Sequence, residues 1–215
     1  MTLAAGREPA QHQTVSRATE RNFLPQAESA VAEVAKAPEA AEAAPAPAPE
    51  AAAPAAEAAP ALPWFKEPAE VTPVAGLDQT QMNNATRIVE TARSMGLGRD
   101  AQIIAVATAM QESTLYNRAS TVLPESYNYP HQGDGSDFDS VGLFQQRTST
   151  GWGAVKDLMD PEFATKQFLK ALITVPGWQR LPLTVAAQTV QGSAFPDHYA
   201  KHESPATVIV DEINK

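Results

Sequence analysis

The stretch "IIAVATAMQEST" runs from Ile103 to Thr114. Between Ile103 and Met110 it holds a single hydroxyl, Thr108, and no charge. A helix lying on a protein surface shows a polar stripe every three or four residues, and this one shows none. It therefore predicts a helix buried on every side, with Asp100 as its N-cap. Gln111 and Glu112 follow directly. Glu112 either marks the return of the chain to water or is an acid delivered to a site. A carboxylate at the end of a buried helix is partly desolvated and sits near the negative end of the helix dipole. Both effects favour its neutral form. Such an acid stays protonated near neutrality and donates to a leaving-group oxygen.

The remaining composition narrows the field. The chain has 215 residues, enough for one domain of ordinary size and a remainder. Its net charge of -9 argues against a nucleic-acid binder, because no basic patch is available to offset phosphates. There are no cysteines, so disulfides and thiolate metal sites are excluded. No apolar run reaches the length of a membrane-spanning helix, and no membrane span is expected. "MTLAAGREP" at the N-terminus lacks a basic n-region and a long apolar h-region, so an intact signal peptide is not expected within this sequence.

Residues 27–61 change character: 31 of the 35 are Ala, Pro or Glu. Methyl groups bury little, and prolines break helices and remove donors. We read 1–25 as a disordered segment and 26–75 as an extended, semi-rigid linker, with Ala27 to Ala37 transiently helical. Pro63-Trp64-Phe65 forms a local apolar patch suited to docking.

From Gly76 the pattern becomes globular. "LDQTQMNNATRIVETARSMGLG" predicts a helix capped by Asp78, with Met82, Ala85, Val89, Ala92 and Met95 on its inner face and Gly96 at its end. Residues 117–140 have no helical pattern and predict a long loop or small hairpin, a type of segment that is usually functional in a compact domain. Asp160-Pro161 starts another helix, which Pro176-Gly177 stops. Residues 183–191 and 196–203 predict two more. The expected fold is mostly α, one domain over 76–203 built around the apolar helix, with 204–215 as a C-terminal tail.

The loop that follows Glu112 leads to "SDFDSVGLFQQRTSTGWG", residues 136–153. Gly142 lets the backbone approach a neighbour closely. Gln145 and Gln146 offer amides, and Trp152 offers a flat apolar face. Acid, amide and aromatic groups together suit a sugar, which has hydroxyl edges and CH faces.

At this point the residues resemble a family. Glu112-Ser113 followed by S-x-x-x-x-x-G-L-F-Q from Ser136 to Gln145 is similar to the paired motifs of soluble lytic transglycosylases. The likeness runs from about residue 78 to 203, with "TVAAQTVQ" at 184–191 as the third motif. The series "GLFQQR", "GWG" and "VPGW" also resembles secreted bacterial cell-wall proteins. The resemblance implies a lysozyme-like fold, peptidoglycan glycan strands as substrate, and an extracellular or cell-wall-associated location. It makes Glu112 the catalytic acid/base, with Ser113, Ser136, Gln145, Gln146, Trp152 and Gln191 around the substrate or the acid. It calls for no cofactor and no metal, and a monomer is expected. Two positions depart from the pattern. Asp139 stands where the family has Gly. Ala186-Ala187 is followed by Gln188-Thr189 in place of Tyr-Asn, so a tyrosine on the acid would have to come from Tyr199, or its role from Gln191.

Rival readings remain. A muramidase would add a second carboxylate, for which the loop offers Asp134, Asp137 and Asp139, with Asp139 foremost. A glycan-binding module would keep the cleft without turnover. An interaction protein would act through its stalk. His198 and His202 lie four apart but lack a third ligand, so "HYAKHE" reads as a solvated face. "DGSDFDS" lacks the Gly and distal Glu of a calcium loop. Trp178 reads as core, whereas Tyr127 and Tyr129 either line a cleft or pack the long loop down.

Overall fold

The computed structural model describes Pro68, residues 70–192 and residues 197–215. The expected disordered segment 1–25 and the linker up to residue 67 lie outside the described residues. What is described is mostly helical.

Helix α1 spans Gln79–Ser94. Asp78 caps it: its Oδ1 accepts from the Gln81 N–H at 2.8 Å, and Gln81 Oε1 accepts from the Asp78 N–H at 2.9 Å. This reciprocal pair satisfies donors that the first turn cannot satisfy itself. Met82, Ala85, Val89 and Ala92 are fully buried, while Met95 is the C-cap and only partly buried. Helix α2, Arg99–Ser113, is the central element, and every residue from Ala101 to Ala109 is buried. Its N-cap is Gly98, not Asp100. The tight Gly96-Leu97-Gly98 turn brings the chain into the helix before Asp100, which then lies in the first turn and faces the positive end of the dipole.

Helix α2 ends without glycine. Thr114 and Leu115 both take left-handed φ values of 55° and 62°, and the Leu115 N–H returns to Ala109 O at 3.1 Å. Leu115 is fully buried, and its packing holds this sharp exit. The long loop then folds into short pieces. Strands β1 (Ala119–Ser120) and β2 (Asp134–Gly135) pair in parallel, and β3 (Ser140–Val141) and β4 (Gln146–Arg147) pair antiparallel, Ser140 opposite Arg147. A bridge between Arg118 and Gly142 joins the two ladders.

A short helix α3, Val155–Leu158, precedes α4, Pro161–Thr174, which begins with Asp160 as N-cap and Pro161 in its first turn. Helix α5 is Leu183–Gln191. Residues 200–202 form a single 3-10 turn, and α6 follows over Glu203–Ile213. Here the tail expected at 204–215 is corrected. Ala206, Ile209 and Val210 of α6 are buried, and α6 packs directly on α2. With α1, α4, α5 and α6 all against it, the middle of α2, residues 101–109, has no face left for water. The domain also begins before Gly76. Val71 and Val74 pack against the core, and Gln79 Nε2 donates to Val71 O at 3.1 Å. Among the described residues, no helix is long and apolar enough to cross a membrane.

Candidate active site

Glu112 sits one residue before the end of α2, partly buried. The Tyr199 hydroxyl donates to Glu112 Oε1 at 2.6 Å, and Tyr199 is itself fully buried. Gln191, the last residue of α5, also favours the charged form of the carboxylate. Burial pushes the Glu112 carboxyl above the usual glutamate range. The bonds from Tyr199 and Gln191 pull it back, and the charge of Asp137 pushes it up again. The net direction is upward. Tyr199, named from the sequence as a candidate partner of the acid, makes that contact.

The "GLFQ" segment is fastened beneath the acid from both sides. Ser113 Oγ donates to Leu143 O at 2.7 Å, and Gln191 Nε2 donates to Phe144 O at 2.9 Å. Phe144 stacks on Phe168 of α4 with centroids 4.9 Å apart. Gly142 has φ +78°, and a Cβ there would lie 2.4 Å from Leu158 O, so no other residue fits without backbone movement. A polar triangle holds the start of the loop. Asn84 Nδ2 donates to Leu115 O at 2.7 Å and to Gln132 Oε1 at 3.1 Å. Gln132 Oε1 also accepts from the Asn117 N–H at 2.8 Å. Asn117 Nδ2 reaches on to Met159 O at 2.8 Å. Nothing in the spacing of Asn84, Asn117 and Gln132 signals this arrangement, which exists only once the chain is folded.

The expected substrate residues divide. Gln191 meets the acid. Ser113 is buried and engaged with backbone, so it positions the loop and offers nothing to a ligand. Gln146 is likewise buried, with its Nε2 on Ala164 O at 3.2 Å. Gln145 takes a left-handed φ of 47° and bonds back to Gly142 O at 3.0 Å, staying partly exposed. Ser136 is exposed on the neighbouring turn. Trp152 packs on a second small core of Ala119, Val141, Val155, Leu158 and Met159.

Asp139 is committed elsewhere. Its carboxylate accepts from Arg147 Nε at 2.5 Å and from the Ser149 N–H and Oγ at 2.8 and 2.9 Å. Burial pushes this carboxyl up, but those donors outweigh it and hold it at about 2. Of the three loop acids, Asp137 is the one whose charge reaches Glu112. Asp134 accepts from the Tyr127 hydroxyl at 2.7 Å, and the Tyr129 hydroxyl donates to Glu125 at 3.0 Å, so both tyrosines pack the loop down. Trp178 lies in the main core. His198 falls in a turn and His202 in the 3-10 turn, so the two do not share a helix face. Gln111 pairs with His202, whose ring burial and the nearby Lys201 hold below its usual pKa. Among the described residues, no group of three His, Cys, Asp or Glu is placed to hold a metal ion.

No family model and no curated protein matches this chain.

Proposed function

We propose that this domain is a lysozyme-like peptidoglycan lytic transglycosylase, exposed to the cell wall, with Glu112 as its single acid/base. The observation that carries the reading is the environment of Glu112: a carboxyl raised by burial at the end of the central helix, yet tethered by Tyr199 and Gln191. In this reading the neutral Glu112 gives its proton to the glycosidic oxygen between MurNAc and GlcNAc. The C1–O bond breaks with the electron pair leaving on that oxygen. The Glu112 carboxylate then takes the proton of the MurNAc 6-hydroxyl as its oxygen bonds to C1, closing a 1,6-anhydro ring. Proton and charge balance within one residue, and neither water nor a cofactor enters. Incubation of the protein with purified sacculi tests this. Soluble muropeptides with 1,6-anhydro ends support it, and retention on sacculi without release makes the domain a binding module.

A hydrolase is the second reading. Asp137 is exposed and its charge pushes the Glu112 carboxyl up, so the role of second carboxylate would fall to it. Products with reducing ends, lost in Asp137→Asn, would select that reading. Asp139, bound on both oxygens, does not serve it.

A further inference from the structure

Phe138 is the large apolar side chain least suited to its position. It is 66% exposed, the most of any large hydrophobic residue described. It also holds φ at 49°, a left-handed conformation that a bulky side chain rarely adopts. Exposure and strain together are unfavourable, and the surroundings enforce both. Ser120 Oγ donates to Phe138 O at 3.2 Å, and Asp137 O accepts from the Ser140 N–H at 3.1 Å. The Arg147 guanidinium lies 4.7 Å from the ring centroid. Asp139 fixes Arg147, and Ser149 fixes Asp139. A chain of charge-assisted bonds thus backs one side of this exposed aromatic ring.

The ring also belongs to the turn that neighbours the "GLFQ" segment, which Ser113 ties to the end of α2. Asp137, the preceding residue, is the one whose charge Glu112 senses. Gly135 in the same turn approaches Gln145 Oε1, which is 3.9 Å from where a Cβ on Gly135 would stand. Gln145 continues from Phe144, whose carbonyl accepts from Gln191 Nε2 at 2.9 Å. We propose that Phe138 is a preformed stacking platform for the CH face of an N-acetylhexosamine ring, next to the sugar on which Glu112 acts. This rests on the glycan reading above and names a binding residue for it. Strain and exposure persist at a position when the surrounding structure holds them there, and functional sites are where they gather. A pyranose has an apolar face of axial hydrogens that a fixed aromatic ring can cover without losing rotamer freedom on binding.

The test measures equilibrium binding of stem-peptide-free glycan strands, in the Glu112→Gln background so that nothing turns over. Phe138→Ala should weaken binding roughly tenfold, and Phe138→Trp should restore most of it. Thermal melts check folding, and both variants should stay folded, because the ring is mostly exposed. Equal binding by Phe138→Ala and its parent overturns the platform while leaving the cleavage reading standing. Weakened binding with no release from sacculi by the wild type keeps the platform and overturns cleavage. No binding by the parent overturns both.

Discussion

Tyr199 donates its hydroxyl to Glu112 across 2.6 Å, although 87 residues separate them in sequence. The bond ties the turn before α6 to the last turn of α2. Its sense is chemical as well as structural. A donor to a carboxylate favours the charged form, so Tyr199 opposes the burial that raises the Glu112 carboxyl. Burial and the tyrosine bond thus act on the carboxyl in opposite directions, and the net direction is upward.

Glu112→Gln tests the acid directly. Cleavage should fall about 100-fold or more, the usual share of a general acid/base. Stability should move the other way. A carboxyl whose pKa is raised in the fold contributes full stability below its unfolded value, and that stability is lost as pH rises through the folded value. The Gln variant never ionises, so it should melt at or above wild type near neutral pH. The difference should vanish in acid, where Glu112 is neutral in both states. Unfolding of the variant would make Glu112 a structural residue.

Neighbours of the acid should shift the pH profile in opposite directions. The rate should fall on the alkaline side as Glu112 loses its proton. Tyr199→Phe removes a donor to the carboxylate, so that limb should move to higher pH. Asp137→Asn removes a repelling charge, so the limb should move to lower pH. Rate profiles of both variants decide it. A shift of both in one direction would show that these groups do not set the state of Glu112.

Local signals in the sequence marked some elements well. The absence of any charge from Ile103 to Met110 gave away a helix surrounded on all sides, and Asp160-Pro161 marked the start of α4. Helix α6 was harder, although Ala206, Ile209 and Val210 have helical spacing. With Pro205 in its first turn and only three inward residues, its order depends on packing against α2, which no local window contains. The site divides in the same way. Glu112 was legible because a carboxyl at the end of an apolar helix is unusual in itself. Ser113 and Gln146 resembled ligand groups by type, yet the fold spends their hydrogen bonds on Leu143 O and Ala164 O. Asp139 stood foremost among the second carboxylates of the rival hydrolase because Arg147 and Ser149 have no spacing that announces their bonds to it.

Asp139→Asn separates a holding role from a chemical one. Loss of the Arg147 and Ser149 bonds should lower stability by about 1–2 kcal/mol. The effect on rate should be far smaller than that of Glu112→Gln. The pH dependence has a defined sign. Asp139 has its carboxyl lowered from 3.8 to about 2, so its contribution is present above the unfolded value and is lost as pH falls through the folded one. The melting difference between wild type and Asn variant should therefore be constant near neutrality and shrink in strong acid. A collapse of rate with unchanged stability would return Asp139 to the chemistry.

The start of the domain is the last point to test. Val71 and Val74 pack on the main core, the Leu77 N–H returns to Val74 O at 3.1 Å, and Gln79 reaches Val71 O. A chain beginning at Glu70 keeps all of these contacts, while one beginning at Gly76 keeps none. Both valines are only partly buried, so the second chain should be less stable by about 1–3 kcal/mol, from the apolar area left in water. Both chains retain Glu112, Tyr199 and Gln191, so their rates on soluble glycan fragments should agree at temperatures where both are folded. Denaturant unfolding of the pair measures the difference. Equal midpoints and slopes would mean that residues 70–75 merely lie against the domain, and that it starts at Gly76 as the sequence pattern suggests.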